Sequence, residues 1–335
     1  MKAIFLCEKN EKLFRVYAPK TIEALQEYNG IEAKIYQKAD ILADPHRFAE
    51  VEIIFSTWGM SEWTEEEIKQ YLPSLRCLFY AAGTVQNFAR PFLASGVKVF
   101  SAWAANGVPV AQMTTAQIIL ANKGYYVSSR LYTNSTTGHR AAKDAFHDCR
   151  GNYGETVGLI GAGMIGRLVI QMLKAYRLNI LVFDPFLPDE KAAELGVTKC
   201  DLPTLFGESF VVSNHLANNA QTVGMLNYDL FRRMREYAVF INTGRGAQVV
   251  EDDLVRILRE RSDLTALLDV TFPEPPVDEH PFYTLPNCLM TPHIAGSAGD
   301  EVARMGEYML DEYRAYLAGE VCRYEVSEKM LETMA

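Results

Sequence analysis

The stretch TVGLIGAGMIG, from Thr156 to Gly166, decides the fold of the central part of this chain. Its apolar first half predicts a buried strand over residues 156–160, and the apolar spacing of the residues that follow predicts a helix. Between them lies the pattern G-x-G-x-x-G, in which Gly161 allows a tight turn, Gly163 allows a ligand to approach the backbone, and Gly166 allows close packing of helix on strand. Because a pyrophosphate binds well at such a helix N-terminus, the stretch predicts a dinucleotide-binding Rossmann domain.

Asp184 ends the next predicted strand, where dinucleotide-binding domains hold the ribose of the cofactor. It lies 18 positions after Gly166 and follows the apolar run 180–183. A carboxylate at this point accepts hydrogen bonds from a ribose diol and repels a 2′-phosphate, and residues 185–188 contain no arginine that would reverse the preference. The sequence therefore predicts NAD rather than NADP as the cofactor.

Short apolar runs rich in β-branched and aromatic residues alternate with helical stretches on both sides of this motif. In the first half, strands are predicted at 3–7, 33–36, 51–55, 77–80 and 97–100, and helices at 14–28, 65–71 and 88–95. In the second half, strands are predicted at 156–160, 180–183, 210–213, 238–242, 265–269 and 288–291. The 335 residues are enough for two domains, so the alternation predicts two doubly wound α/β domains with parallel sheets.

Three further segments complete the predicted elements. A long helix over Pro109–Tyr126 is predicted to begin at its proline and to bridge the two domains. The polar stretch Thr133–Asn152 is predicted to be a surface loop or a frayed helix. Gly299–Leu317 carries apolar residues at three- to four-residue spacing, which predicts a helix that packs on a core.

Composition and charge narrow the class of protein. The 42 acidic and 33 basic residues give a net charge of −9 with no block of Lys and Arg, so nucleic acid is not an expected partner. No apolar stretch approaches the ~20 residues of a membrane-spanning helix, and the apolar run after Lys2 is too short for a signal peptide. The six cysteines lie far apart without a C-x-x-C pair, which predicts no metal site and favours a cytoplasmic protein.

Three polar residues follow predicted strands downstream of the glycine turn, where ligands bind open α/β sheets. Arg245 lies between two glycines, and its planar guanidinium suits a substrate carboxylate and carbonyl oxygen. Glu274 lies in a proline-rich loop that cannot be helical, and His293 follows Thr291-Pro292. These three side chains are the candidate catalytic residues.

The motifs continue through Asp269-Val, Glu274-Pro and Thr-Pro-His293. In this order they resemble the motifs of the D-isomer-specific 2-hydroxy acid dehydrogenase family, and the resemblance extends from about Tyr80 to Leu317. The resemblance implies a flavodoxin-like substrate domain made of residues 1–105 and 297–335. It implies that a Rossmann NAD-binding domain, residues 106–296, is inserted within the substrate domain, with the active site in the cleft. It also implies a homodimer.

The resemblance assigns a role to each candidate catalytic residue. Arg245 would orient a 2-keto acid, His293 would be the acid/base, and Glu274 would hydrogen-bond His293. This agrees with elementary chemistry, because hydride transfer to a carbonyl carbon leaves negative charge on oxygen that a cation stabilises and an imidazolium neutralises. The implied reaction is the NAD-dependent reduction of a 2-keto acid to a D-2-hydroxy acid, or its reverse.

The resemblance also implies the residues that contact ligands. The implied cofactor contacts are Gly161, Gly163, Met164, Ile165, Gly166, Asp184, His215, Thr243, Gly244, Asp269 and Gly296, and the implied substrate-binding residues are Ala82, Gly83, Thr84 and Arg245. Three residues depart from the family pattern, namely Asn87 in place of Asp, Gln112 in place of Glu and Ala217 in place of Pro. These departures leave the substrate open.

Two other functions are compatible with the same residues. NAD-sensing corepressors share the family fold and can keep the three catalytic residues, although this sequence has no long disordered segment that would bind partners. Formate dehydrogenases of the family are usually longer and arrange the residues beside the histidine differently. The aromatic residues at Trp58, Tyr80 and Trp103 suggest a bulky apolar substrate group, and the absence of a basic cluster argues against a phosphate.

Overall fold

The computed structural model of the protein describes residues 1–8, 12–147 and 149–332. It divides into two compact units, of which the first consists of Met1–Gly107 and Ser297–Ala335 and the second of Val108–Gly296. The second unit is continuous in sequence and is inserted within the first. Each unit is built around its own sheet.

The elements within the described residues alternate between strands and helices. The strands are β1 (Lys2–Leu6), β2 (Ile35–Tyr36), β3 (Val51–Ser56), β4 (Cys77–Tyr80), β5 (Lys98–Ser101), β6 (Tyr153–Ile160), β7 (Arg177–Phe183), β8 (Thr198–Lys199), β9 (Val211–Asn214), β10 (Val239–Asn242), β11 (Thr265–Leu268), β12 (Cys288–Met290) and β13 (Glu325–Val326). The helices are α1 (Leu13–Val16), α2 (Pro19–Asn29), α3 (Lys38–Ala43), α4 (Pro45–Phe48), α5 (Glu65–Tyr71), α6 (Ala89–Ala94), α7 (Trp103–Asn122), α8 (Tyr125–Leu131), α9 (Thr137–His147), α10 (Met164–Leu173), α11 (Asp189–Leu195), α12 (Leu202–Glu208), α13 (Tyr228–Phe231), α14 (Glu251–Glu260) and α15 (Ala303–Ala318). Short 3-10 helices lie at Gly246–Gln248, Pro281–Tyr283, Gly299–Val302 and Met330–Glu332.

The sheet of the first unit has six strands among the described residues, in the order β2-β1-β3-β4-β5-β13. Strands β1 to β5 run parallel and follow the order of flavodoxin-like sheets. Strand β13 pairs antiparallel with β5, where Glu325 lies opposite Phe100 and Val326 opposite Val99. The predicted parallel α/β sheet is confirmed, but the two-residue edge strand is too short to show a sequence period and was not predicted.

Helix α15 completes the core of the first unit. Its Tyr313 packs against Phe55 of β3 and Phe79 of β4, with ring centroids 5.3 and 5.4 Å apart. Met305 and Met309 on the same helix are fully buried. The apolar face predicted for this segment therefore covers the sheet formed by the beginning of the chain.

The sheet of the second unit is parallel throughout its described strands, which lie in the order β8-β7-β6-β9-β10-β11-β12. Numbered within the unit, this is the Rossmann order 3-2-1-4-5-6 with a further strand at one edge. The order reverses between β6 and β9, and ligands of such sheets bind at the carboxyl ends of the strands around this switch point. The predicted Rossmann fold is confirmed.

Two helix predictions were wrong in their bounds. The segment 14–28 is divided into α1 and α2, because the residue before Pro19 is extended, as residues preceding proline prefer. The predicted helix at Pro109 begins six residues earlier, at Trp103, so Pro109 lies inside α7. This helix ends at Asn122, and Gly124 takes a left-handed conformation with φ of 67° before α8 begins.

The polar stretch after α8 was predicted to be a surface loop or a frayed helix, and it is helical over Thr137–His147. None of the helices in the described parts of the chain is long and apolar enough to cross a membrane.

Candidate active site

The candidate residues of the second unit lie directly after the parallel strands. Gly161 follows β6, Asp184 follows β7, His215 follows β9, Thr243 follows β10 and Asp269 follows β11. Because parallel strands end at one edge of the sheet, this topology brings the loops that carry these residues to the same edge.

The glycine turn after β6 has the geometry that its spacing predicts. Gly161 adopts a φ of 98°, and a Cβ at this position would lie 2.9 Å from the carbonyl oxygen of His215. A Cβ on Gly166 would collide with the carbonyl oxygen of Gly161, so the first and third glycines allow backbone segments to touch. By contrast, a Cβ on Gly163 would meet nothing within 4 Å.

The N-terminus of α10 is suited to an anionic ligand. Gly163 is the N-cap, and within the described residues no side chain caps the first turn. Uncapped N–H groups and the helix dipole favour a phosphate at this point, and the open space at Gly163 admits one close to the backbone. The residues present therefore fit the pyrophosphate of a dinucleotide.

Asp184 is anchored by the backbone beside it. Its carboxylate accepts hydrogen bonds from the N–H groups of Ala162 and Phe186, both at 2.8 Å. Since a carboxylate has about four acceptor positions, these two bonds leave capacity for a ribose diol. The first bond also ties Asp184 to the glycine turn.

His215 lies on the other side of the switch point, in the turn that touches Gly161. Its Nε2 lies 3.0 Å from the hydroxyl of Ser213, and its Nδ1 is buried without a hydrogen-bond partner among the described residues. Burial lowers the pKa of His215 to about 4 from the usual value of 6.5. The imidazole is therefore neutral at neutral pH, which suits a side chain beside an aromatic base.

Acid is expected to destabilise the protein through His215. As the pH falls from 6.5 to about 4, the unfolded chain binds a proton at this side chain and the folded chain does not. The stability that the neutral imidazole contributes is present above 6.5 and is lost within that window. We expect the His215→Gln variant to lose less of its free energy of unfolding over the same range, measured by urea denaturation. The exposed His139→Gln variant serves as the control, and parallel losses in all three proteins would contradict the assignment.

Arg245 is held by a turn that is built from buried amide side chains. Its guanidinium is half-buried, and Nη1 donates a 2.8 Å bond to the carbonyl of Gly244. Asn242 accepts a bond from the Gly244 N–H and donates one to the Arg245 carbonyl, both at 3.1 Å. Burial lowers the pKa of Arg245, and the carboxylate of Glu274 acts in the opposite direction. The arginine and the glutamate therefore interact electrostatically within this unit.

Three buried residues of this region were not predicted from the sequence. Asn214 and Asn242 end β9 and β10, Gln248 follows the turn of Arg245, and Asn214 hydrogen-bonds to both of the others. A polar residue that ends an apolar strand was the available signal for the two asparagines. Gln248 lies in a 3-10 turn, where no sequence period marks its burial.

Asp269 organises the loop that carries His293. Its buried carboxylate accepts bonds from the Thr291 hydroxyl at 2.5 Å and from the N–H groups of Ile294 and Ala295 at 2.8 and 2.9 Å. The His293 N–H donates to the Asp269 carbonyl at 3.0 Å. These bonds hold His293 at a φ of 54°, a left-handed conformation that costs a non-glycine residue about 1 kcal/mol or more.

The structure brings His293 and Glu274 together. Nδ1 of the imidazole lies 2.6 Å from Oε1 of Glu274, and both side chains remain 40–48% exposed. The carboxylate fixes the tautomer with the proton on Nδ1, which leaves Nε2 available for chemistry. A histidine oriented in this way by an acid can donate and accept a proton at Nε2.

The loop of Glu274 is held from the side of α14. Oε1 of Glu251 accepts the N–H of Phe272 at 2.8 Å, and Oε2 lies 3.7 Å from Nε2 of His280. The two contacts flank Glu274 in sequence and hold both ends of its loop. Neither Glu251 nor His280 was predicted as part of the site.

Three other predicted cofactor residues, Thr243, Gly244 and Gly296, contact neighbouring residues of the unit or adjoin the loop of His293. The buried hydroxyl of Thr243 lies 3.0 Å from that of Thr114 on α7. Gly244 lies close to Asn214 and Gln248, where a Cβ would meet their side chains at 3.1 to 3.3 Å. Gly296 follows Ala295, whose N–H is bound by Asp269.

The predicted substrate-binding loop lies in the first unit, after β4. The hydroxyl of Ser101 lies 3.0 Å from the carbonyl oxygen of Ala82 and 2.6 Å from that of Gly83. These bonds turn the carbonyl groups toward Ser101 and do not use the N–H groups of Gly83 and Thr84. Backbone amides of such a loop can bind a carboxylate.

The fold and the glycine turn define a dinucleotide-binding α/β protein. Residues 124–295 match the model of the D-isomer specific 2-hydroxyacid dehydrogenase family, NAD binding domain. The chain belongs to this family, and NAD is its cofactor. Both predictions from the sequence are confirmed.

Two relatives are similar to part of the chain. The chain is 33% identical over 159 residues to a D-3-phosphoglycerate dehydrogenase of Archaeoglobus fulgidus. This match covers 48% of the chain and 30% of that relative. It is 32% identical over 180 residues to a glyoxylate reductase of Korarchaeum cryptofilum, and this match covers 54% of each chain. The match thus spans about half or less of the length of these relatives.

The overall fold matches a solved structure of the same class. The crystal structure of apo D-mandelate dehydrogenase of Rhodotorula graminis superposes with a TM-score of 0.80 and 17% sequence identity, covering 98% of both chains. At this identity the likeness concerns the fold.

Proposed function

We propose that the protein is an NAD-dependent oxidoreductase that reduces a 2-keto acid to a D-2-hydroxy acid, or catalyses the reverse reaction. The observation that carries this proposal is the 2.6 Å contact between His293 Nδ1 and Glu274, in the same unit as Arg245 and the NAD-binding turn. An oriented imidazole and a guanidinium are what carbonyl reduction needs in addition to a hydride donor.

The cofactor is held by the second unit. Gly161, Gly163 and Gly166 form the turn, the amides of Met164 and Ile165 would hold the pyrophosphate, and Asp184 would hold the ribose. The turn of His215 would hold the adenine, and Thr243, Gly244 and Asp269 would hold the nicotinamide, with Gly296 behind His293. When bound, reduced NAD supplies the hydride that the carbonyl carbon receives.

His293 is the acid/base of the reaction. In its protonated form it donates the Nε2 proton to the carbonyl oxygen as negative charge develops there. Glu274 stabilises the imidazolium through the Nδ1 bond, and its exposed position lets the imidazole recover a proton from water. In the reverse direction Nε2 accepts the hydroxyl proton.

Arg245 binds the carboxylate and the carbonyl oxygen of the substrate. Because it is half-buried, its charge interacts more strongly with an anion than an exposed arginine would. The amides of Gly83 and Thr84, with Ala82, bind the substrate carboxylate. Trp58 and Trp103 are partly exposed, whereas Tyr80 is buried. The aromatic residues that can contact a bulky apolar substrate group are therefore the two tryptophans rather than Tyr80.

A panel of 2-keto acids tests the proposed function. We expect oxidation of NADH with one or more members of a series that runs from glyoxylate to phenylpyruvate, and slower oxidation of NADPH because Asp184 repels a 2′-phosphate. The measurement is the loss of absorbance at the nicotinamide band, followed by chiral analysis of the product. NADH binding without turnover on any member would instead favour the NAD-sensing role.

We also propose that the protein forms a homodimer in the cytoplasm. The exposed apolar side chains of α7, α8 and α9 support the dimer: Leu120, Tyr125 and Phe146 are 40–53% exposed, and Tyr132 after α8 is 59% exposed. Clusters of exposed apolar side chains commonly mark protein–protein contacts. The wide spacing of the six cysteines supports a reducing compartment.

A further inference from the structure

Gln248 is a fully buried amide at the edge of the sheet where the cofactor and catalytic residues lie. We propose that Gln248 is a positioning residue that holds the cofactor-side turn, residues 214–217, and the arginine turn, residues 242–246, in fixed relation. It touches neither ligand and acts through these two turns. The expected effect of Gln248 on turnover rests on the proposed function, whereas its expected effect on NAD binding does not.

One end of the Gln248 amide holds the cofactor-side turn. Nε2 donates to the carbonyl groups of Leu216 and Ala217, both at 2.9 Å. This turn lies against the glycine turn, since a Cβ on Gly161 would meet the His215 carbonyl oxygen and the Leu216 nitrogen at 2.9 and 3.1 Å. A shift of the cofactor-side turn would therefore displace the backbone of the glycine turn, where the cofactor is proposed to bind.

The other end holds the arginine turn through Asn214. Oε1 of Gln248 accepts a 2.6 Å bond from Asn214 Nδ2, which also donates to Asn242 Oδ1 at 3.0 Å. Asn242 in turn bonds the backbone of Gly244 and Arg245. The chain of bonds from Gln248 ends on the residue that is proposed to bind the substrate.

A glutamine satisfies this site completely. Its two N–H groups meet two carbonyl oxygens and its oxygen meets one amide donor, so every polar atom of the side chain is paired. An apolar residue of similar volume would leave a buried donor on Asn214 and would remove one donor from each carbonyl. Buried polar groups without partners are costly, so the two turns would be expected to shift to recover hydrogen bonds.

The Gln248→Met variant tests the positioning role. We expect the dissociation constant for NADH to rise about tenfold and kcat/KM for the best 2-keto acid to fall about tenfold at saturating NADH, the scale of coupling between neighbouring sites. NADH binding is measured by nicotinamide fluorescence, which needs no turnover. If no 2-keto acid is reduced by the parent protein, the proposed function fails while the binding measurement still tests the cofactor-side turn.

Two further variants separate the two ends of the amide. Gln248→Glu keeps an acceptor for Asn214 but loses the donors to the carbonyl groups, so it should weaken NADH binding and spare kcat/KM at saturating NADH.

Ala217→Pro is expected to stiffen the cofactor-side turn. The substitution is compatible with the backbone because, among the described residues, the Ala217 N–H donates no hydrogen bond and the φ of Ala217 is not positive. In the double variant Gln248→Met with Ala217→Pro, NADH binding should recover and kcat/KM should stay low. Recovery of both constants, or of neither, would contradict the proposal.

Asn287 supplies the matched control. It is buried in the same unit, and its Nδ2 donates to the carbonyl groups of Leu258 and Arg261 at 2.9 and 3.3 Å. It precedes β12, at the end of the sheet opposite the candidate site. Asn287→Leu should lower the unfolding temperature and leave both constants near those of the parent. If Gln248→Met only lowers the unfolding temperature, as Asn287→Leu does, Gln248 has a structural role alone and the inference is wrong.

Discussion

Replacing His293 by alanine is expected to lower the rate of keto-acid reduction by about 10²- to 10⁴-fold, the scale of general acid catalysis. The side chain is exposed and its Nδ1 contact is the 2.6 Å bond to Glu274, so its removal leaves no buried polar group behind. NADH binding should be unchanged, because the glycine turn and Asp184 do not depend on the imidazole. The measurement is single-turnover oxidation of NADH, together with a fluorescence titration of the cofactor.

Alanine at His139 is the control for this variant, since that histidine is exposed on α9 and its one ring contact among the described residues is with Tyr132, at a centroid distance of 5.3 Å. A His293→Ala protein that turns over at the parental rate would remove His293 from the mechanism. A parallel loss of NADH binding would show that the substitution disturbs the cofactor site and does not report on proton transfer.

Replacing Arg245 by lysine is expected to raise the KM of the keto acid and to lower kcat/KM by about 10- to 100-fold. Lysine keeps the charge but loses the planar fork that pairs with two oxygens, and a hydrogen bond to a charged group is worth about 1.5–3 kcal/mol. The ammonium would also lose the 2.8 Å bond of the guanidinium to the Gly244 carbonyl, which orients the parent side chain. Steady-state kinetics over a range of keto-acid concentrations measure the effect.

The exposed Arg177 provides the comparison, because Arg177→Lys makes the same chemical change on β7, where the guanidinium lies over the ring of Tyr153. We expect parental kinetics for that variant and an unchanged NADH dissociation constant for Arg245→Lys. A keto-acid KM that stays at the parental value in Arg245→Lys would exclude the arginine from substrate binding.

The sequence predicted the parts of the site that depend on local patterns. Gly161 and Gly166 were identified because a strand, a turn and a helix impose a fixed glycine spacing, and Asp184 because the next strand ends there. The contact between His293 and Glu274 was implied by family resemblance, since nothing in the spacing of 19 residues brings the two side chains together. The structure supplies the reason, which is that the loops after β11 and β12 leave neighbouring strands.

What the sequence did not predict depends on contacts between distant segments. Gln248 is buried by the turns after β9 and β10, and Glu251 reaches the Phe272 backbone from a different element, so neither has a local signature. The start of α7 was misplaced because proline is common at the first turn of a helix and disfavoured inside one, whereas Pro109 lies inside α7.

The division of the chain has a consequence for biosynthesis. Strands β1 to β5 are made first, but the helix whose Tyr313 covers Phe55 and Phe79 emerges from the ribosome only after the whole inserted unit has been translated. During that interval the aromatic face of the early sheet is not covered by this helix. The second unit is continuous in sequence, so its folding does not depend on segments that are translated later. The first unit can therefore complete its core only after the second unit has been synthesised.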